Sequence, residues 1–184
     1  MIKQGLYTLR TKGLQYTIKA GLHYCIIPII FKKLSKRILD LNEAVDFAFN
    51  FHYFGVSIRP AQVKDEILGL LKLIKDLNPR RVLEIGTARG GTLFLFTRVA
   101  NSDAMIISVD LPGGMFGGGY PAWKIPLYKS FAIHDQKIYL IRADSHDPIT
   151  LNRVKEILNS KNIDFLFIDG DHTSGMRLKI NLII

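Results

Sequence analysis

The chain has 184 residues, 48% of them apolar and 22% charged. That balance excludes a disordered or fibrous chain and suits one core-forming domain with an appendage. The most apolar run, residues 21–31, is interrupted by His23 and Pro28 and falls well short of the roughly 20 residues a bilayer span needs. A single cysteine, Cys25, excludes an internal disulfide and a cysteine-cluster metal site. The first residues carry no apolar signal-peptide core, so no secretory leader is expected and a cytoplasmic, reducing setting fits.

The net charge of +9 is unevenly placed. Residues 1–40 hold eight lysines and arginines against Asp40 alone, whereas residues 41–184 hold 17 bases and 15 acids. A basic, amphipathic helical arm over residues 1–40 and a nearly neutral main domain over residues 41–184 are expected. Basic clusters on either side of the apolar stretch 22–31 suit an arm lying on an anionic membrane surface, here the inner face of the membrane. The alternative is a helical extension packed on its own domain or on a second subunit. With no zinc spacing and no recognition motif, the basic residues do not point to nucleic acid.

Residues 41–54 carry Phe47, Phe49, Phe51, Tyr53 and Phe54, which reads as a buried helix or turn, because clustered aromatics are usually core. Ile58-Arg59-Pro60 then opens a helix with Pro60 near its first turn. Val63, Ile67, Leu71 and Ile74 recur on one helical face, and Asn78-Pro79 closes it. From residue 81 the pattern alternates. Apolar strands are expected over residues 81–85, over 105–109 (ending in Asp110), over 137–142, and over 163–168 (ending in Asp169). Helices are expected over residues 92–100, within 111–135, and over 150–158. Such runs indicate an α/β fold with a doubly wound parallel sheet.

In a sheet of that kind ligands bind beyond the carboxyl ends of the strands, so the polar residues at strand ends are informative. The first strand runs into Glu84-Ile-Gly86-Thr-Ala-Arg-Gly90-Gly91-Thr92. Its glycines allow tight turning, and the helix behind them offers free N–H groups. A dinucleotide fingerprint would read G-x-G-x-x-G. Ala88 stands in place of the middle glycine, which disfavours pyrophosphate and a nicotinamide-dependent oxidoreductase.

The E-x-G-x-x-x-G pattern, with Asp110 twenty residues beyond Gly90, resembles the first motifs of the class I S-adenosylmethionine-dependent methyltransferases, which share a Rossmann-like fold. The resemblance implies a turn beneath the methionine part of the cofactor, with Glu84, Gly86, Thr87, Gly90, Gly91 and Thr92 as cofactor-binding residues. It implies Asp110 on both ribose hydroxyls, a task suited to a carboxylate that accepts two hydrogen bonds. It places Asp144, in Arg142-Ala-Asp-Ser145, near the adenine. Asp110-Leu-Pro-Gly-Gly, Gly117-Gly-Gly-Tyr-Pro-Ala-Trp123 and Phe167-Ile-Asp-Gly-Asp-His172 are similar to a cephalosporin hydroxylase-like and sugar O-methyltransferase subgroup, over roughly residues 40–173. That subgroup implies O-methylation of a sugar or another small hydroxylated acceptor. It also implies Asp169 as a ligand of Mg²⁺ and His172 as the general base that removes the acceptor proton. A local hydrogen-bonding role at a helix N-terminus is the alternative for His172, and one carboxylate alone does not make a Mg²⁺ site.

Residues 113–119 hold five glycines, followed by Tyr120, Trp123 and Tyr128. A lid over the site and an irregular loop with its aromatics packed on the domain are both open readings. Twelve residues follow His172, too few for the three further strands of a complete sheet in the resembled family. A C-terminally incomplete sheet is therefore expected, with an edge strand open to pairing in a homo-oligomer and with weak or no activity. A non-catalytic remnant that binds the cofactor or a partner is the competing reading.

Overall fold

The computed structural model describes residues 21, 25–113 and 119–169. The basic residues 1–20, the glycine-rich centre 114–118 and the Asp-Gly-Asp-His turn beyond Asp169 lie outside them.

Helix α1 spans Ile27–Ser35 with Pro28 in its first turn, where its missing N–H is harmless. Helix α2, Leu41–Asn50, is capped by Asp40, whose carboxylate accepts the Glu43 N–H at 2.9 Å. The Glu43 side chain reaches back to the Leu39 N–H at 2.7 Å, a reciprocal arrangement close to a capping box. A two-residue turn then joins strands β1, His52–Tyr53, and β2, Val56–Ser57. Its central residues, Phe54 and Gly55, both have positive φ, the geometry that matches strand twist in tight hairpins. Phe54 is consequently at the tip of the turn and 58% exposed, not in the aromatic core expected for residues 41–54.

Helix α3 spans Lys64–Leu77 and does not open at Pro60 as expected. Residues 58–60 are committed elsewhere: the Ile58 carbonyl and the Pro60 ring pack beside Gly91. Val63 caps the helix in an extended conformation and is exposed, so the buried stripe begins at Ile67 and continues through Leu71 and Ile74. Asn78 ends the helix in the left-handed conformation, its N–H bonded to the Ile74 and Lys75 carbonyls.

The sheet follows the expected alternation. Its strands are β3 (Arg81–Ile85), β4 (Met105–Asp110), β5 (Lys137–Arg142) and β6 (Phe165–Ile168), all parallel in the order β5-β4-β3-β6. Between them run α4 (Gly91–Val99), a short 3₁₀ turn (Ala122–Lys124) leading into α5 (Ile125–Lys129), and α6 (Pro148–Leu158). Strand β6 starts two residues later than its apolar run suggests. Asp164 holds the foot of the ladder, accepting the Arg80 and Arg81 N–H groups at 2.9 Å each and Arg81 Nη2 at 2.7 Å. Among the described residues β6 pairs only with β3, and Ile168 is 41% exposed.

Period-two alternation gives the sheet two apolar faces. Leu83, Ile85, Ile107, Val109 and Ile141 meet Val154 and Leu158 of α6. Val82, Ile106 and Ile138 face the larger cluster, with α4 laid against them and α2 and α3 outside it. Phe31 of α1 is the hub of that cluster. Its ring centroid lies 5.4 Å from Phe47, 5.0 Å from Phe51, 5.4 Å from Phe94 and 4.7 Å from Phe131. Of the arm expected over residues 1–40, the part in α1 thus buries Ile27 and Phe31 in the main core. Phe31→Ala is expected to destabilise the domain by about 3–5 kcal/mol, lowering a cooperative melt by roughly 10 °C. An unchanged melting temperature would show that α1 is a detachable appendage.

Candidate active site

The chain runs from β3 outward to β4 and β5, then returns to β6 on the opposite side of β3. The crevice beyond the carboxyl ends of β3 and β6 is therefore the switch point of the sheet. The turn leaving β3 passes through Gly86 (φ 101°), Ala88 (φ 44°) and Gly90 (φ 85°). Ala88 occupies the left-handed region, which a residue with a Cβ adopts at a cost. It is held there from two sides. Its N–H donates to Asp110 Oδ2 at 2.6 Å, and its carbonyl accepts the Tyr128 hydroxyl at 2.8 Å. Burial pushes the Tyr128 pKa up, so the phenol stays a neutral donor.

Two glycines of the turn are required by the protein's own packing. A Cβ on Gly90 would lie 2.6 Å from the Tyr128 ring, and one on Gly91 would lie 2.2 Å from the Ile58 carbonyl oxygen. Thus α4 begins where it does because the Ile58–Pro60 segment closes directly onto its first residue.

Glu84 lies on the same face of β3 as Val82 and is paired across the ladder with Ser108. It is fully buried. Ser108 donates to Oε2 at 2.5 Å, the Thr92 hydroxyl donates to Oε1, and Thr87 and Ser108 share a hydrogen bond of 2.5 Å. Glu84, Thr87 and Thr92, implied by resemblance to bind cofactor, therefore form a buried cluster fastening β3, the glycine turn, β4 and α4 together. Burial pushes the Glu84 pKa up to about 7, opposed by the Ser108 and Thr92 hydroxyls. A folded-state pKa raised above the unfolded one favours the protonated form. The stability it contributes is complete below the ordinary carboxyl range and is lost as pH rises through about 7. Glu84→Gln cannot ionise. The melting temperature of the native chain relative to E84Q is expected to fall between pH 5 and pH 8; a constant or rising difference would refute the buried-acid assignment.

Asp110, at the end of β4, accepts three backbone N–H groups: Ala88 on Oδ2, and Leu111 at 2.8 Å and Gly119 at 3.1 Å on Oδ1. It ties the glycine turn to both sides of the 114–118 segment. A carboxylate offers about four acceptor positions, so among the described residues the position left open is on Oδ2. Asp144, exposed beyond β5, accepts the His146 N–H at 2.8 Å and faces its Nδ1 at 3.0 Å. The aromatics after the glycine loop pack inward: Tyr120 and Tyr128 are buried, with ring centroids 4.9 Å apart.

Asp169 follows β6, its N–H bonded to the Ile85 carbonyl at 2.8 Å. Its Oδ2 accepts the Gln62 side-chain amide. Gln62 drew no attention in the sequence because 107 residues separate the two. Ser108 was also missed, although a lone hydroxyl two residues before Asp110 mirrors Glu84 two residues before Gly86. His172 lies outside the described residues. Among the described residues no three histidine, cysteine or acidic side chains gather as a metal site. Among the described residues the partner on the Asp169 side chain is the Gln62 amide N–H, on Oδ2 alone; the Gly170–His172 turn that the resemblance joins to Asp169 lies outside them. No helix among the described residues is long and apolar enough to cross a membrane.

No curated protein sequence matches the chain significantly. Among solved structures it is similar to the O-methyltransferase TomG from Streptomyces achromogenes, involved in tomaymycin synthesis and solved in complex with SAM. Identity is 16% and the TM-score 0.41, over 80% of this chain and 60% of that one. The chain thus spans about 60% of that relative's length. The family model described as Rhamnosyl O-methyltransferase/CmcI matches residues 45–179, a stretch holding the glycine turn, Asp110 and Asp169, and the chain belongs to that family.

Proposed function

We propose that the domain holds S-adenosylmethionine over residues 86–91 and transfers its methyl group to a hydroxyl of a sugar or another small hydroxylated acceptor. The observation that carries this reading is convergence. The glycine turn, the N-terminus of α4 and the Asp110 carboxylate meet at the carboxyl ends of β3 and β4, beside the reversal of strand order. The first-turn N–H groups of α4 have no partner within the helix and suit the cofactor's carboxylate. The open position on Asp110 Oδ2 suits a ribose hydroxyl. A grip on both hydroxyls needs one backbone N–H to yield, and the longest of the three bonds is that of Gly119. Asp144 is assigned to the adenine side by its place after β5. Glu84, Thr87 and Thr92 act as positioning residues beneath the turn.

The cofactor supplies an electrophilic sulfonium methyl group. The protein's task is to orient the acceptor oxygen in line with it and to take the acceptor's proton. Asp169 and Gln62 stand on the acceptor side, next to a groove of about 490 Å³ lined by Gln62, Phe49, Arg59 and Lys64. Gln62 Oε1 is buried without a partner among the described residues, an acceptor suited to a substrate hydroxyl. His172 is assigned as general base on the family resemblance. Peripheral contact with an anionic membrane belongs to the same proposal, supported by exposed Ile29 and Leu39 among Lys32, Lys33, Lys36 and Arg37.

Calorimetric titration with S-adenosylhomocysteine is expected to show saturable one-site binding and a raised melting temperature. Asp110→Asn is expected to weaken it about tenfold or more, the loss of one charge-assisted hydrogen bond. A folded chain that does not bind would sink the cofactor assignment. Release of S-adenosylhomocysteine that depends on a hydroxylated acceptor and disappears in His172→Ala would separate transfer from binding alone.

A further inference from the structure

A second cavity, of about 400 Å³, lies away from this crevice. It is bounded by Lys32 of α1 and Lys36 just after it, by Arg98 in the last turn of α4, and by Ser130 and His134 between α5 and β5. Because α4 leaves the carboxyl end of β3 and returns, and His134 precedes β5, the cavity sits at the amino ends of the strands. Its wall carries three permanent cations and a histidine, and no carboxylate.

Arg98 is the informative residue. Its guanidinium lies 4.5 Å from the centre of the Phe94 ring. Nη2 donates to the Phe131 carbonyl at 3.2 Å, while Nε is buried without a hydrogen-bond partner among the described residues. Arg98 as a whole is half-buried, and among the described residues no carboxylate pairs with its charge. The chain's own residues 1–20 carry four bases and no acid, so they do not supply the counter-charge.

We infer that this cavity is an anion site that takes one phosphate group, held by Arg98 with Lys32 and Lys36 at its mouth. A phosphate fits better than a carboxylate. It spreads up to two negative charges over several acceptor oxygens and matches the planar donor fork of arginine. The cavity has room for more than a bare phosphate, which suits a phosphate ester. The ester has two possible sources: a lipid headgroup, favoured by Ile29 and Leu39 exposed beside the lysines, or a soluble metabolite.

The test uses the full chain and inorganic phosphate. At ten times its dissociation constant, phosphate is expected to raise the melting temperature by about 4 °C. K32S/K36S changes two exposed side chains and is expected to melt like the native chain without phosphate but to lose this shift. A general salting effect moves both proteins alike. An equal shift in both would therefore overturn the inference, as would no shift in the native chain. R98K, which keeps the charge but loses the fork, is expected to weaken phosphate binding about tenfold. If R98K fails to fold, the lysine pair still decides the matter. Co-sedimentation with phosphatidylcholine vesicles only when they contain phosphatidate, competed by phosphate and lost in K32S/K36S, identifies the lipid source. A melting shift with glycerol 3-phosphate without vesicle binding identifies the soluble one.

Discussion

The register between β3 and β4 is the constraint on which the candidate site depends. Glu84 sits opposite Ser108 and Ile85 opposite Val109, so the two strands finish level and Asp110 arrives beside the turn that follows β3. Only in that register does Asp110 reach the Ala88 N–H. A slip of one residue would invert every side chain of one strand. Glu84 would then enter the apolar face occupied by Ile107 and Val109, and Leu83 would displace it from Thr92. The hydrogen bonds of Ser108 and Thr92 to Glu84 therefore select the register as well as satisfy a buried acid.

The turn is held as firmly from outside the sheet. Tyr128 bonds the Ala88 carbonyl and fills the space a side chain on Gly90 would need, while Ile58 and Pro60 do the same at Gly91. These contacts come from segments on both sides of the sheet in sequence, one before β3 and one after β4. Phe31, through Phe94 and Phe131, links α1 to α4 and to the residues that follow Tyr128. The backbone N–H groups at the start of α4 are thus preorganised by aromatic packing, which is the support a binding turn requires.

What could be read from the residues, and what could not, divides along physical lines. The four strands were legible because parallel strands covered on both faces leave uninterrupted apolar runs, and the turn after β3 was legible because its backbone needs glycine. The start of α3 was not. Pro60 is a good first-turn residue by local preference, yet its ring is held against Gly91, a contact 31 positions away that no local pattern encodes. Phe54 looked like core because its neighbours are, but the hairpin needs residue 54 at its tip. Phe31 sat in a basic stretch that looked peripheral, and only its four ring neighbours show it to be central. Gln62 was invisible for the same reason as Pro60: its partner Asp169, just after the last described strand, is 107 positions away.

The electrostatics of the crevice bear on which cofactor it suits. Glu84 lies beneath it, Asp110 beside it and Asp169 across it, and both of the latter carboxylates act to raise the Glu84 pKa further. Such a field disfavours a pyrophosphate, whose negative charges would face the Asp110 and Asp169 carboxylates above a Glu84 already held towards its neutral form. It suits a ligand whose reacting centre is a sulfonium cation and whose single carboxylate is confined to the helix end. The broken dinucleotide fingerprint at Ala88 points the same way on steric grounds: its left-handed backbone carries a methyl group where pyrophosphate binding asks for a bare Cα. Charge and shape are independent properties of the turn, and their agreement is what favours the proposed S-adenosylmethionine over a nicotinamide dinucleotide.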